Sequence, residues 1–465
     1  MYRILAEAID CLSRGIRESR RPEDRKLATD YLAALAPLLA SINSVVLCGW
    51  NRSRSDSDEQ DAWNARSLSL LQGNTERAGV QTARHSVIVH RHDGSQVLER
   101  RRPAVDKHIV KPMFTRHYAH WPPARPRSLS VPRTSVYANL EASARRDPGH
   151  CALDYYGDRI AYAELRRQVD ALAGFLQRRL GIERGDRVLL YTQNSPQYVI
   201  GYYAILRADA VVVPVNPMNR TEEVRHYLED AGARVIIATQ ELWGEIAPLL
   251  GTSGLEHVVL GAYSDYLSAD HLSADHGSGP SGLPVPEFVR APRQAISAPG
   301  VTAFAEAVAA GLTPREHLAR DHDLAVMPYT SGTTGKAKGC IHTHLSVQAT
   351  ASAIGAWRGD ARQSVVLAVL PLFHVTGMQS GMNTPLQLGS TIVLMTRWDR
   401  DCAARLVERT RVTTLTAITT MMVDFLANPE LDRYDLSSLS WLGGGGAAMP
   451  EAVARLLEAR IGLPY

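Results

Sequence analysis

The sequence predicts an α/β fold with doubly wound parallel sheets flanked by helices. Short apolar runs rich in Val, Ile and Leu recur from about residue 150 onward. Segments with helical apolar spacing separate them, the alternation that builds a parallel sheet. A loop crowded with glycine, hydroxyl and lysine side chains follows one run, at the strand end where open α/β sheets bind ligands.

Composition supports a globular chain. Of 465 residues, 45% are hydrophobic and 21% charged, which excludes collagen-like or wholly disordered classes. The net charge of +3 is uneven: residues 1–112 carry 18 basic and 14 acidic side chains, the remainder 33 and 34. The main body therefore lacks the basic surface that nucleic acid requires. Cys11, Cys48, Cys151, Cys340 and Cys402 are scattered without CxxC spacing, which argues against a disulfide framework or zinc cluster and fits a cytoplasmic setting. Tyr31 to Trp50 is uncharged and long enough to cross a bilayer, but Pro37, Ser41, Asn43 and Ser44 interrupt it. It reads as an amphipathic helix. No integral membrane segment is expected, and peripheral membrane contact stays open.

Residues 1–112 read as a partly helical extension outside the fold. Ile4, Leu5, Ala8, Ile9, Leu12 and Ile16 form one stripe, Pro22 to Asp24 opens a second helix, and Val87 to Leu98 suits a hairpin about Asp93-Gly94. Residues 113–150 read as an arm or linker entering the domain, following a Pro-, Arg- and His-rich stretch from Pro103 to Arg133. Residues 151–465 are the main domain. Its first strands are Arg187–Thr192, Ala210–Val215 and Val235–Ala238; Pro196–Arg207 is helical, and Thr221 is expected to cap a helix ending at Ala231. A surface excursion over 262–300 contains a tandem LSADH duplication, with His271 and His276 expected in solvent. Strands resume at Ala325–Tyr329, Val365–Leu370, Thr391–Leu394, Thr413–Leu415 and Ser440–Leu442.

The sharpest feature runs from Tyr329 to Gly339. Thr330, Ser331, Thr333 and Thr334, with Gly332, Gly335, Gly339, Lys336 and Lys338, crowd into ten residues. Glycines let backbone N–H groups turn toward an anion, hydroxyls add donors, and lysines supply charge to a polyphosphate. Only five lysines occur in the chain, and two of them lie here. The spacing is not that of a Walker A loop, and Ala337 stands where a magnesium-holding hydroxyl would be.

The run resembles the phosphate loop of the adenylate-forming acyl-CoA synthetase superfamily, Thr-Ser-Gly-Thr-Thr-Gly-x-Pro-Lys-Gly, with Ala337 at the Pro position. Three further segments are similar to motifs of that family: Arg159 to Phe175, Gly201 to Asn216 (Asp209 where Gly is usual), and Leu370 to Gly377. Gly443 to Pro450 follows, and its glycines expose bare backbone that a flat ring can approach. The resemblance covers about Met113 to Tyr465 and looks most like bacterial fatty-acid–CoA ligases.

That resemblance implies ATP-dependent activation of a carboxylate to an acyl-adenylate and then transfer to CoA. ATP, CoA and Mg2+ would be required. Lys336, Lys338 and the hydroxyl loop would meet the phosphates, with Lys338 and His374 in catalytic roles. Gly445, Gly446, Ala447 and Ala448 would meet adenine and the acyl end. His374, Val375, Met378, Met421 and Met422, with Val423 and Phe425, would line an acyl pocket between loops at 374–383 and 418–425. Ordinary core packing explains those apolar residues equally well, and a structural His374 remains an alternative. Asp424 is expected to face solvent. His342 and His344 read as polar residues at a helix start, and no metal ligand is assigned.

The family pattern continues with Tyr-Gly-x-Thr-Glu, whose Glu helps hold magnesium, and with a small C-terminal domain. Neither occurs in these 465 residues. The expectation is a large N-terminal domain incomplete at its C-terminus, weakly active or inactive alone. The alternatives are an aryl-acid or amino-acid adenylating enzyme and a non-catalytic nucleotide-binding remnant.

Overall fold

The computed structural model describes residues 116–273, 282–330, 335–445 and 449–465, with the backbone of strands β1 (Val87–His90) and β2 (Gln96–Glu99). Two compact units divide the chain, 1–114 and 115–465. In the first, β1 and β2 pair antiparallel with Val87 opposite Glu99, the hairpin read about Asp93-Gly94. The expected helices before residue 50, including Tyr31 to Trp50, lie outside the described residues.

The second unit holds β3 (Cys151–Tyr155), β4 (Asp158–Ala161), β5 (Arg187–Tyr191), β6 (Val211–Pro214), β7 (Val235–Thr239), β8 (His257–Gly261), β9 (Val301–Ala303), β10 (Leu324–Val326), β11 (Tyr329–Thr330), β12 (Lys338–Gly339), β13 (His342–Thr343), β14 (Val365–Ala368), β15 (Thr391–Leu394), β16 (Thr414–Thr416) and β17 (Trp441–Gly443). Apart from the separate β11–β12 pair, they form a seven-stranded sheet, β13-β10-β6-β5-β7-β8-β9, and a six-stranded sheet, β17-β16-β14-β15-β3-β4. Within these two sheets only β13 and β4, each at an edge, run antiparallel to their neighbours. Every residue of β6, β7 and β15 is buried. Their uninterrupted β-branched runs are the signature of a parallel sheet covered on both faces.

The principal helices are α1 (Tyr137–Arg146), α2 (Tyr162–Arg178), α3 (Pro196–Arg207), α4 (Thr221–Ala231) and α5 (His344–Arg358). Ser195 caps α3 by accepting from Tyr198 N at 3.2 Å, with Pro196 at the first helical position. Helix α3 is buried from Pro196 to Leu206, as a core helix must be. Its tyrosines tie it to the segment after β14: Tyr198 Oη donates to Leu372 O (2.8 Å) and Tyr203 Oη to Asn383 Oδ1 (3.0 Å). Within the stretch read as an arm, α1 buries Tyr137 and Leu140, and Val136 N donates to His344 Nδ1 at 3.0 Å.

Several expectations are corrected. Thr221 is the first residue of α4, not its cap; Arg220 takes that place, and Thr221 Oγ1 donates to Glu245 at 2.7 Å. The strand expected over Ala325–Tyr329 is two elements, because Pro328 has no N–H to continue a ladder. The excursion over 262–300 is not simply a surface loop: Tyr263, Leu267, Leu283, Val285 and Val289 are buried in the core. His271 is 5% exposed and lies 2.8 Å from Asp158, while His276 falls outside the described residues. Asp209, at the usual glycine position, has φ +61°, and its carboxylate accepts from Leu318 N and Ala319 N. No described helix is long and apolar enough to cross a membrane.

Candidate active site

The lysine-bearing loop rises from the antiparallel β11–β12 stem, in which Tyr329 faces Gly339 and Thr330 faces Lys338. Ser331, Gly332, Thr333 and Thr334 lie outside the described residues. Gly335 has φ +156° and open space where a Cβ would stand. Lys336 and Lys338 are exposed, and neither has a carboxylate partner among the described residues. Two uncompensated ammonium groups on one short stem form a natural seat for a polyanion. The stem leans on α4: Tyr329 stacks on Tyr227 with centroids 4.0 Å apart, and its hydroxyl donates to Asp230 at 2.6 Å.

A second group of loops leaves the C-terminal ends of β14, β16 and β17, which are consecutive neighbours in the six-stranded sheet. After β14, the 369–374 segment is fastened by Asn194 from the other sheet. Its Nδ2 donates to Ala368 O (3.2 Å) and Leu370 O (3.0 Å), and its Oδ1 accepts from Leu372 N (2.8 Å). His374 projects from this segment, exposed, and caps Val375–Gly377 by accepting from Thr376 N at 3.3 Å. A Cβ on Gly377 would stand 2.2 Å from Pro371 O, so only glycine lets the helix back onto the loop.

The span 374–383 is helical rather than a loop, comprising Val375–Gly377 and the π-helical turn Met378–Asn383. Met378 and Met422 are each 1% exposed and belong to the core, as does Phe425. Met421 is partly buried. Val375 (41%), Ile418 (38%) and Val423 (45%) are exposed instead. Asp424 is not simply solvent-facing; it accepts from Trp398 Nε1 at 2.8 Å. After β17, a Cβ on Gly444 would stand 1.9 Å from Ala417 O, whereas Gly445 has open space. Gly446, Ala447 and Ala448 lie outside the described residues.

Buried polar groups hold these walls. Burial pushes the His344 imidazole down to about 4, so it is neutral at pH 7 and fit to accept from Val136 N. Arg358 forms a buried ion pair with Asp360 and donates to Thr416 Oγ1 at 3.2 Å, at the end of β16. Asn194, Tyr198 and Arg358 have no motif to announce them; only their distant partners reveal their roles. Among the described residues, no group of three or more His, Cys, Asp or Glu side chains is placed to hold a metal ion.

Two mostly parallel sheets flanked by helices, with an uncompensated lysine hairpin and a glycine run after β17, make an α/β domain. The family model described as AMP-binding enzyme matches residues 140–464, and the chain belongs to that family. The long-chain-fatty-acid–CoA ligase of Bacillus subtilis (strain 168) is 29% identical over 353 residues, 73% of this chain and 60% of that protein. The 4-coumarate–CoA ligase-like 8 of Arabidopsis thaliana is 28% identical over 299 residues, 64% of this chain and 49% of that protein. Among solved structures, a long-chain-fatty-acid-CoA ligase from Archaeoglobus fulgidus matches with TM-score 0.58 at 22% identity, covering 72% of this chain and 63% of that one. The anthranilate CoA ligase AuaEII in complex with anthranoyl-AMP matches with TM-score 0.59 at 21% identity, covering 71% and 59%. The chain spans about three fifths of the length of the curated relatives it matches.

Proposed function

We propose that residues 115–465 carry the ATP- and acid-binding part of a fatty-acid–CoA ligase, which joins a carboxylate to AMP and passes the acyl group to CoA. The observation that carries this reading is the pair Lys336 and Lys338, exposed without carboxylate partners on the β11–β12 stem. The carboxylate attacks the α-phosphorus of ATP and pyrophosphate leaves. Both reactants are anions, so positioning and charge neutralisation make up most of the catalysis. Lys336 and Lys338 meet the β- and γ-phosphates, where charge grows as pyrophosphate departs. Thr330, Ser331, Thr333, Thr334 and the N–H groups of Gly332, Gly335 and Gly339 share that load. Gly445, Gly446, Ala447 and Ala448 present bare backbone to adenine and the acyl carbonyl. His374 stands at the mouth of the acid site. Magnesium would screen the phosphates further, and no side chain is assigned to it.

Exposed Val375, Ile418 and Val423, beside the ends of neighbouring strands β14 and β16, support an apolar acid. Met421 would extend that wall, with Met378 and Met422 packed behind it. The aryl-acid reading has its own support in the names of the anthranilate and coumarate relatives.

Acid-dependent ATP–pyrophosphate exchange tests the choice. Dodecanoate or hexadecanoate should drive exchange better than benzoate, 4-coumarate or an amino acid. Exchange driven by an aryl acid alone would move the assignment to that class. ATP binding without exchange for any acid, also after fusion to the C-terminal part of a curated relative, would favour the non-catalytic remnant.

A further inference from the structure

A groove of about 480 Å³ opens between the segment Trp121–Leu129 and the last turns of α5. Trp121, Leu129, Ala356 and Trp357 give it apolar walls, and Arg125 and Arg127 line the same space. Trp121 and Trp357 meet edge to face, with centroids 5.3 Å apart. Trp357 is 43% exposed and Leu129 46%, so this apolar surface lies open. It is remote along the chain from the lysine loop: at ~1.5 Å per residue, roughly 18 Å of helix separates His344 from Ala356.

The charge balance around the groove leans positive, and the nearby carboxylate of Asp360 is already paired with Arg358. Thr115 to Leu140 contains Arg116, Arg125, Arg127 and Arg133 and no Asp or Glu, and α5 contains no acidic residue at all. Arg133 is neutralised by Asp321 at 2.5 Å. Arg125 and Arg127 have no carboxylate within ion-pair distance among the described residues. Arg125 donates one bond, to Arg358 O at 3.1 Å, and Arg127 lies over the Tyr118 ring at 4.8 Å. Each guanidinium therefore keeps donors for an incoming anion. A volume of this size, apolar walls and a few converging polar groups are the features of a small-molecule site.

We infer that this groove binds a single-chain amphiphile with an anionic head, its chain along Trp121, Ala356 and Trp357 and its head at Arg125 and Arg127. The inference does not depend on the ligase assignment, because none of these residues belongs to the candidate active site.

Tryptophan quenching by monomeric 12-bromododecanoate, measured on the full 465-residue chain, tests it. Saturable quenching should lose a large part of its amplitude in Trp357→Phe, with the remainder coming from Trp121. Arg125→Gln with Arg127→Gln should weaken binding about tenfold, as expected for lost charge-assisted hydrogen bonds. Arg127→Gln alone, at an exposed position, should weaken it in the same direction without risk to folding. Bromododecanol and a bromoalkyl trimethylammonium should bind no better to the wild type than to the double variant. Unchanged quenching in Trp357→Phe and in both arginine variants would place the ligand elsewhere, the acyl site included, and overturn the inference. So would binding to phosphatidylglycerol vesicles with none of the monomer, which would make this face a membrane contact.

Discussion

His226 Nε2 lies 2.8 Å from the carbonyl oxygen of Ala337, the residue between the two loop lysines. One face of α4 thus holds the loop at its stem through Tyr227 and Asp230 and at its lysine side through His226. Removing the imidazole deletes a hydrogen bond worth about 1 kcal/mol. His226→Ala should weaken ATP binding roughly fivefold by calorimetry. Cys340, which follows the stem directly, should also be alkylated faster without nucleotide. An unchanged alkylation rate would mean that α4 does not restrain the loop.

Lys336→Ala and Lys338→Ala should each weaken ATP binding about tenfold, the loss expected for one charge-assisted contact. The wild-type affinity should fall with added salt, and the double variant should be much less salt-sensitive. Titrations in low and high potassium chloride check both statements.

Glycine substitutions should separate folding from binding. Gly377→Ala puts a methyl 2.2 Å from Pro371 O, and such overpacking costs about 1–3 kcal/mol. Gly445→Ala meets open space, so stability should hold within about 0.5 kcal/mol while ATP binding declines. Urea melts and nucleotide titrations of both variants provide the comparison; loss of stability in Gly445→Ala would contradict it.

His344 should make stability pH-dependent. Burial lowers its pKa from 6.5 to about 4, with His317 adding to the shift and Asp323 and Asp209 opposing it. The unfolded chain binds the proton more readily, so the neutral form's contribution is full above about pH 6.5 and is lost as pH falls toward 4. The span corresponds to about 3 kcal/mol. His344→Gln should flatten the urea-midpoint profile between pH 4 and 6.5 relative to the wild type.

Helix Pro196–Arg207 and strand Thr391–Leu394 were legible in the sequence to the residue, because a Ser-Pro start and an isolated apolar run mark their own limits. Which strands share a sheet was not, since apolar runs do not name their partners. Thr221 looks like a cap locally, but Glu245, 24 positions away, takes its hydroxyl. His271 reads as solvated, yet it pairs with Asp158 through a contact that no local pattern encodes; His344 starts a helix as read, but its acceptance from Val136 N has no local sign either. The lysine loop was legible because its chemistry is concentrated in ten consecutive residues. Asn194 was not, because its three partners begin 174 positions later.

Asn194 also limits how this protein can be re-engineered. The His374 segment is not a cassette that can be exchanged for a relative's, because the side chain reads three alternate backbone positions from the opposite sheet. A transplanted segment one residue longer would carry these carbonyls and the N–H out of the amide's reach. Grafts of this segment must therefore keep the length from Ala368 to Leu372, or carry the Asn194 turn along with them.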